Sequence, residues 1–430
     1  MQTIVIVGGG AGGLELATSL GNKLGKKKQA KIILVDKNRT HIWKPLLHEL
    51  ATGALDRSTD GVVYHAHSVR HHYQFQLGNM TGMDGIAKTI SLASLNDDKG
   101  NEILPERTLK YDTLVMAVGS VSNDFGTKGV ADNCYYLDSH KQAERFHHAM
   151  LDQFMRVYQP GAAGKLKLAI VGGGATGVEL SAELYHVSEL MKMYDLSDEG
   201  TTQRPQVTLL EAGPRILPAL PEKIATSARR ELERLGVKVM VNTRVIEADK
   251  DGFITADDKR VDAHLTVWAA GVKAPDFIPE QGFFEVNRIG QIMVKPTLQS
   301  TVDDSVYVIG DCCGCKQADG SWVPPRAQSA HQMASQVYKN ILLQRQNKPL
   351  KDYVYSDYGS LVNLSNYSTV GSLMGNLSKG SMFIEGHLAR MVYVSLYRMH
   401  QIAIHGWFGG AAVWMAHKIG NTVKPKMKLH

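Results

Sequence analysis

Short apolar runs that end in glycine recur along the chain. Ile4-Val5-Ile6-Val7 leads into Gly8-Gly9-Gly10-Ala11-Gly12-Gly13, and Leu168-Ala169-Ile170-Val171 leads into Gly172-Gly173-Gly174-Ala175-Thr176-Gly177. Aliphatic runs of this length, bounded by turn residues, predict buried strands. Beyond each glycine cluster, at Leu14-Glu15-Leu16 and Val178-Glu179-Leu180, a helix is predicted to begin. Further buried strands are predicted over residues 32–35, 113–119, 207–210, 265–271 and 305–309. Strands alternating with helices in this way predict an α/β fold built on parallel sheets.

The two glycine clusters carry specific chemistry. Gly8, Gly10 and Gly13, like Gly172, Gly174 and Gly177, have the G-x-G-x-x-G spacing of a dinucleotide-binding turn. The first glycine permits the tight turn, the second lets backbone approach a pyrophosphate, and the third lets the helix pack on the strand. The anion then rests on N–H groups at the positive end of a helix. The next strand of each copy ends in an acid, Asp36 and Glu211, suited to a ribose 2′-hydroxyl and hostile to a 2′-phosphate. The second site is therefore expected to favour NADH over NADPH, with Arg215 placed to soften that preference. Its acid lies further along than in the first copy, which fits an insertion around residues 191–204, a helix extension plus a polar loop. Two such turns in one chain imply two dinucleotides.

A chain of 430 residues is too long for one core. Residues 1–124 and 272–348 are expected to form a discontinuous first domain, with a second, 125–271, inserted in it. Residues 349–430 change character, to short strands rich in Ser, Asn and Gly and then to a basic, apolar tail. Net charge is +6, and residues 388–430 hold six basic residues and no acid, so the remainder is balanced. No basic groove with aromatic platforms is evident, which argues against a nucleic-acid partner. Of Cys134, Cys312, Cys313 and Cys315, none forms a C-x-x-C pair, and no metal site is expected; the late three read as small residues in a turn. The first strand starts directly after Met1, leaving no room for a targeting peptide.

Together with Tyr307-Val308-Ile309-Gly310-Asp311, the two glycine turns resemble the flavoproteins with two dinucleotide-binding domains, of glutathione-reductase-like fold. That resemblance implies non-covalent FAD on Gly8, Gly10, Gly13 and Asp36, with Asp311 at its ribityl chain. It implies NADH on Gly172, Gly174, Gly177 and Glu211, with Ala270 and Gly271 lining its path. Within that group the chain is similar to bacterial type II NADH:quinone oxidoreductases, the single-subunit, non-proton-pumping NADH dehydrogenases of respiratory chains. Lys44-Pro45-Leu46-Leu47-His48-Glu49-Leu50-Ala51-Thr52-Gly53 and Gly173–Glu179 carry the likeness, and residues 327–332 fit the A-Q-x-A-x-Q quinone signature. Asp36 departs from the glutamate commoner in that family.

What this family implies for the chemistry is specific. Pro324-Pro325 starts a helix at Arg326 and Ala327 whose N-terminal dipole favours negative charge on the flavin. Gln328 and Gln332 share one helical face and are expected to bond the carbonyls of a membrane quinone, ubiquinone or menaquinone. Glu179, one turn from Glu183, is expected to hold a proton when partly buried and to relay it to the quinone. Lys379 is a further quinone-site candidate. Disulfide reductases need a cysteine pair where this chain has Trp43-Lys44-Pro45-Leu46, and sulfide:quinone reductases need separated cysteines at the flavin that Cys134 alone does not supply.

In the tail, Arg390, Arg398, Gln401 and His405 fall on one stripe, and Met391, Val392, Leu396, Ile402 and Trp407 lie away from it. A basic face with an apolar remainder suits a helix in the lipid headgroup plane. Residues 406–410 interrupt it, and the apolar runs are shorter than the roughly 20 residues a bilayer requires. Lys418, Lys424, Lys426 and Lys428 are expected to meet anionic lipid, and Trp407 and Trp414 to anchor at the interface. The expectation is a monotopic protein on the cytoplasmic face of the inner membrane, with a homodimer through the same region compatible with it. Two other functions stay open: a soluble NADH-dependent flavoprotein reductase, and an interaction protein of the apoptosis-inducing-factor type.

Overall fold

The computed structural model describes residues 1–55, 60–97, 99–157, 165–193, 205–364, 368–373 and 382–423. The principal elements begin with β1 (Gln2–Val7), α1 (Ala11–Leu20), β2 (Ala30–Asp36), α2 (Leu47–Thr52), β3 (Gln74–Leu77) and β4 (Thr113–Met116). They continue with α3 (His140–Val157), β5 (Lys167–Val171), α4 (Ala175–Met193), β6 (Gln206–Leu210), α5 (Glu222–Leu235), β7 (Lys238–Met240) and β8 (Leu265–Trp268). They end with β9 (Val306–Val308), α6 (Ala327–Gln344), β10 (Gly359–Leu364), β11 (Ser368–Leu373), β12 (Met382–Glu385) and α7 (Gly386–Val423).

Contacts divide the chain into two units, each discontinuous. The first comprises Met1–Lys44, Gly61–Val121 and Val272–Ser356, and the second Pro45–Asp60, Ser122–Gly271 and Asp357–His430. In the first unit five strands run in the order β9-β4-β1-β2-β3, every pair parallel. Ile4, Val5 and Ile6 of the central strand are fully buried. A parallel strand covered on both faces needs a continuous aliphatic run, which is why the sequence there does not alternate.

The second unit repeats the plan with four parallel strands, β7-β6-β5-β8. Registers coincide between the copies: Val7 lies beside Val35 and Met116, and Val171 beside Leu210 and Trp268. Strands β4 and β8 stop short of their predicted ends. Ala117 and Ala269 leave the ladder while still donating to the Val7 and Val171 carbonyls, each at 2.8 Å. Their own carbonyls then lie under the first glycine of each loop. The same unit holds an antiparallel sheet, β10-β11-β12, against which α4, α5 and α7 pack.

Helix α7 breaks at Gly406, whose φ of 72° and ψ of 172° are not helical, within the predicted interruption. No helix among the described residues is long and apolar enough to cross a membrane. The facing of α7 differs from the sequence expectation. Gln401, expected on the polar outer stripe, is buried, and Arg398 donates to its amide oxygen at 2.5 Å. His400 and Ile404 are buried with it, whereas Met399, Trp407, Phe408, Trp414, Met415 and Ile419 are exposed. Gln401 turns inward with Arg398 as donor to its oxygen, since a buried amide needs a partner.

Candidate functional sites

The first glycine loop is closed at its ends and open in the middle. Gly8 has φ of +105°, and a Cβ there would collide with the Ala117 carbonyl. At Gly13 a Cβ would strike the Gly8 carbonyl, whereas at Gly10 it would meet nothing within 4 Å. The backbone is thus bare where a pyrophosphate must approach it. The loop is braced from behind: the Gly9 carbonyl accepts from Tyr64 Oη at 2.7 Å and lies 2.9 Å from His41 Nδ1. Asp36 accepts from Gly9 N–H at 2.7 Å through Oδ2, and from Asn38 N–H at 2.7 Å through Oδ1. Burial pushes the Asp36 carboxyl above its ordinary range, against the opposing pull of these N–H donors. Each oxygen keeps a lone pair for a ribose hydroxyl.

Asp311 sits in a 3-10 turn, Gly310–Cys312, entered through Gly310 at φ +76°. Its Oδ2 accepts from Ser120 Oγ at 2.7 Å, and Lys44 Nζ donates to the Ser120 hydroxyl and carbonyl at 3.0 and 2.9 Å. Gln291 donates to the Asp311 carbonyl at 2.8 Å. Lys44, Ser120 and Gln291 are partners that sequence reasoning missed. Lys44 lies inside the quoted 44–53 motif, and that was its only signal.

Helix α6 starts at Ala327 after Arg326 with extended backbone, so its first N–H groups lack intrahelical partners. Ser329 Oγ returns to the Pro324 carbonyl at 2.7 Å and fixes the proline turn. Gln332 grips Ser356 both ways, donating to its carbonyl at 2.8 Å and accepting its N–H at 3.0 Å. Gln328 makes longer contacts, 3.5 Å to the Ser356 carbonyl and 3.4 Å from Tyr355 Oη. The two amides therefore share one face as expected, but Gln332 is committed to backbone and Gln328 is the more available. On the other side of α6, Gly12 of α1 packs against the Ala330 carbonyl.

The second loop copies the first. Gly172 has φ of +114° above Ala269, Gly177 packs on the Gly172 carbonyl, and a Cβ on Gly174 would meet nothing within 4 Å. Glu211 accepts from Gly173 N–H and Gly213 N–H, both at 2.7 Å. Arg215 does not behave as expected: its guanidinium donates to the Leu220 and Pro218 carbonyls at 2.8 and 2.9 Å. So held, it is not presented to a 2′-phosphate. Gly271, at φ +69°, is met by the exposed ring of Phe125.

In the same unit Glu179 is buried on α4 and its Oε1 accepts Asn363 N–H from β10 at 3.0 Å. Burial above all pushes it up to about 8, with Glu49 and Glu183 adding to the rise and the Asn363 bond opposing it. His48 of α2 lies with Nδ1 3.7 Å from Glu179 Oε2. That spacing would suit an ion pair, yet burial lowers His48 to about 4, so both partners are neutral near pH 7. Both side chains are almost wholly enclosed, so burial outweighs their mutual attraction. Glu183 is buried as well. Lys379 lies outside the described residues. Burial also drives the late thiols up, Cys312 to about 12 and Cys315 to about 11, which leaves them protonated near neutral pH.

The pyridine nucleotide-disulphide oxidoreductase family model matches residues 2–334, which defines the class as a two-cradle FAD and nicotinamide oxidoreductase. The NDH2 of Plasmodium falciparum, solved with NADH, superposes with a TM-score of 0.81 at 19% identity, covering 99% of this chain and all of the other. The sulfide:quinone oxidoreductase of Aquifex aeolicus superposes at 0.71 and 17% identity over 99% of this chain and 96% of the other, which speaks to fold alone. A type II NADH:quinone oxidoreductase of Haemophilus influenzae is 47% identical over 445 aligned positions, covering both chains fully. One from Staphylococcus saprophyticus is 28% identical over 88% of this chain and 91% of its own. The chain belongs to the type II NADH:quinone oxidoreductase family.

Proposed function

We propose that the protein oxidises NADH and delivers the two electrons, through bound FAD, to a quinone. The carrying observation is the duplicated cradle: a bare middle glycine, a closed first and third glycine, and a carboxylate bonded to the loop, twice in one chain. FAD, when bound, supplies the two-electron step between a hydride donor and a quinone. Gly8, Gly10, Gly13 and Asp36 would hold its adenosine diphosphate half, with Asp311, Ser120 and Lys44 at its ribityl side. Gly172, Gly174, Gly177 and Glu211 would hold NADH, with Gly271 beside its path. Ala327 at the start of α6 offers a positive helix end, and Gln328, whose own contacts are long, offers its amide to a quinone carbonyl. Quinol formation consumes two protons, and Glu179, protonated near neutrality, is the group suited to donate one.

The enzyme is a peripheral membrane protein in this reading. The exposed Met399, Trp407, Phe408, Trp414, Met415 and Ile419 would enter the interface of an anionic bilayer, on the cytoplasmic face of the inner membrane. The same face would be buried in a homodimer, and flotation with vesicles separates the two cases. Purified protein should be yellow, bleach on NADH and recover its colour with a short-chain quinone. A colourless protein that added FAD cannot turn into an NADH oxidant would refute the proposal.

A further inference from the structure

Glu179 and His48 are enclosed together, with side chains 8% and 3% exposed. The groups acting on Glu179 come from three elements: Glu183 on its own helix, Glu49 with His48 on α2, and the Asn363 N–H on β10. Tyr397 of α7 faces Glu49 and Asp60, with Arg398 beside it. The His48 ring is held by the Pro45 carbonyl one turn back, which fixes its place. Among the described residues, the charges acting on Glu179 are thus acidic, and the basic side chain found beside it is the His48 imidazole.

We infer that His48 is a positioning residue for proton delivery: its enclosed ring, 3.7 Å from Glu179, fills the place from which a cation would strip that carboxyl of its proton. In the step it serves, the Glu179 O–H bond breaks as a quinol O–H bond forms, and the electron pair stays on the carboxylate. NADH provides, as hydride, the two electrons and the other proton, and a proton from solvent water recharges Glu179. His48 remains neutral throughout. A protonated His48 would instead form a buried ion pair with a carboxylate that has nothing to donate. The inference rests on Glu179 being the donor, so the experiment includes a variant for each claim.

The holoenzyme is reduced with NADH and mixed with a short-chain quinone in stopped flow across the pH range. Wild type should lose quinone reduction as pH rises through about 8. Glu179→Gln should be slower and lack that limb; if it keeps both rate and limb, the donor reading fails, and this inference with it. His48→Lys should move the limb down by about 1–3 pH units, the usual effect of an opposite charge at this range. His48→Asn, polar and uncharged, should leave the limb in place. The inference about His48 is overturned, with Glu179 untouched, if the lysine variant reduces its flavin normally and keeps the wild-type limb. It is equally overturned if the asparagine variant shifts as the lysine variant does. Should the lysine variant not fold, nitrogen NMR of the histidine ring in wild type decides: a neutral imidazole at neutral pH supports the inference and an imidazolium overturns it.

Discussion

Glu15 on α1 and His331 on α6 meet in a 2.5 Å hydrogen bond between groups 316 positions apart in the chain. The bond joins the helix behind the first glycine loop to the helix that carries Gln328 and Gln332. Glu15 is buried, so its carboxylate needs such a partner, while the His331 side chain is 40% exposed. The rotation of α6, and with it the direction of its amide face, is set from α1.

The bond to Glu15 raises His331 above its ordinary 6.5, against the opposing effect of burial. A raised histidine contributes stability that is complete below 6.5 and is lost as pH climbs through the raised folded value. His331→Asn should therefore cost most at mildly acidic pH and progressively less in alkali. Denaturant midpoints of the holoenzyme across that range are the check, and a difference that grows with pH would contradict it.

Glu179 and His48 give the opposite pair of slopes. Glu179 is raised from 4.5 to about 8, so the folded state holds an extra proton in that window and stability falls as pH rises through it. His48 is lowered from 6.5 to about 4, so its contribution is complete above 6.5 and is lost as pH falls towards 4. Between 6.5 and about 8, Glu179 acts without His48. Glu179→Gln should flatten the stability curve in that interval. The same variant should slow the quinone half-reaction by about 10²–10⁴ while sparing flavin reduction by NADH.

Glycines of one loop should differ in what they cost. At Gly174 a side chain meets no protein atom within 4 Å, so Gly174→Val should fold with a full complement of FAD yet bind NADH poorly. Gly172, at φ +114° over Ala269, should not tolerate even Ala, losing at least about 1–2 kcal/mol of stability. Steady-state KM for NADH and thermal midpoints, measured on both variants, separate the effects.

Dinucleotide choice should follow Glu211 alone. Its two oxygens each hold a loop N–H, and a glutamine in its place can accept only through one. Glu211→Gln should cut the preference for NADH over NADPH by roughly ten- to hundredfold, since hydrogen bonds to a charged group contribute about 1.5–3 kcal/mol. Arg215→Ala should leave the ratio unchanged, because that guanidinium serves the Pro218 and Leu220 carbonyls. Competition of the two nucleotides in one kinetic series gives the comparison.

Trp407 and Phe408 are 77% and 94% exposed beside the Gly406 break. Replacing both with Ser should abolish flotation with anionic vesicles and leave NADH:ferricyanide activity intact. Retained vesicle binding would move the membrane contact elsewhere.

The doubled cradle was legible because its glycines answer to backbone geometry that adjacent residues determine. Strands β1 and β5 were legible as uninterrupted aliphatic runs, and α6 as the helix after Pro324-Pro325. The chain Lys44–Ser120–Asp311 was not, since it joins groups 76 and 191 positions apart and each residue type is common on surfaces. Nor was the Glu15–His331 bond. On α7, periodicity states only that Arg398 and Gln401 share a face; that Gln401 is buried follows from tertiary packing, which no local pattern encodes. With Arg215, nearness to Glu211 in sequence suggested a shared ligand, whereas its long side chain curls back on its own loop.

The order in which the first sheet is assembled bears on how this enzyme emerges from the ribosome. Strand β9 pairs with β4 across nearly half of the polypeptide, whereas the second sheet is complete by Trp268. During synthesis the inserted sheet can therefore close while the first still presents an open flank of β4. That flank is a run of bare amides and carbonyls, open to wrong pairing until translation reaches residue 308. A nascent chain stalled before β9 should bind chaperones, and one released after it should not.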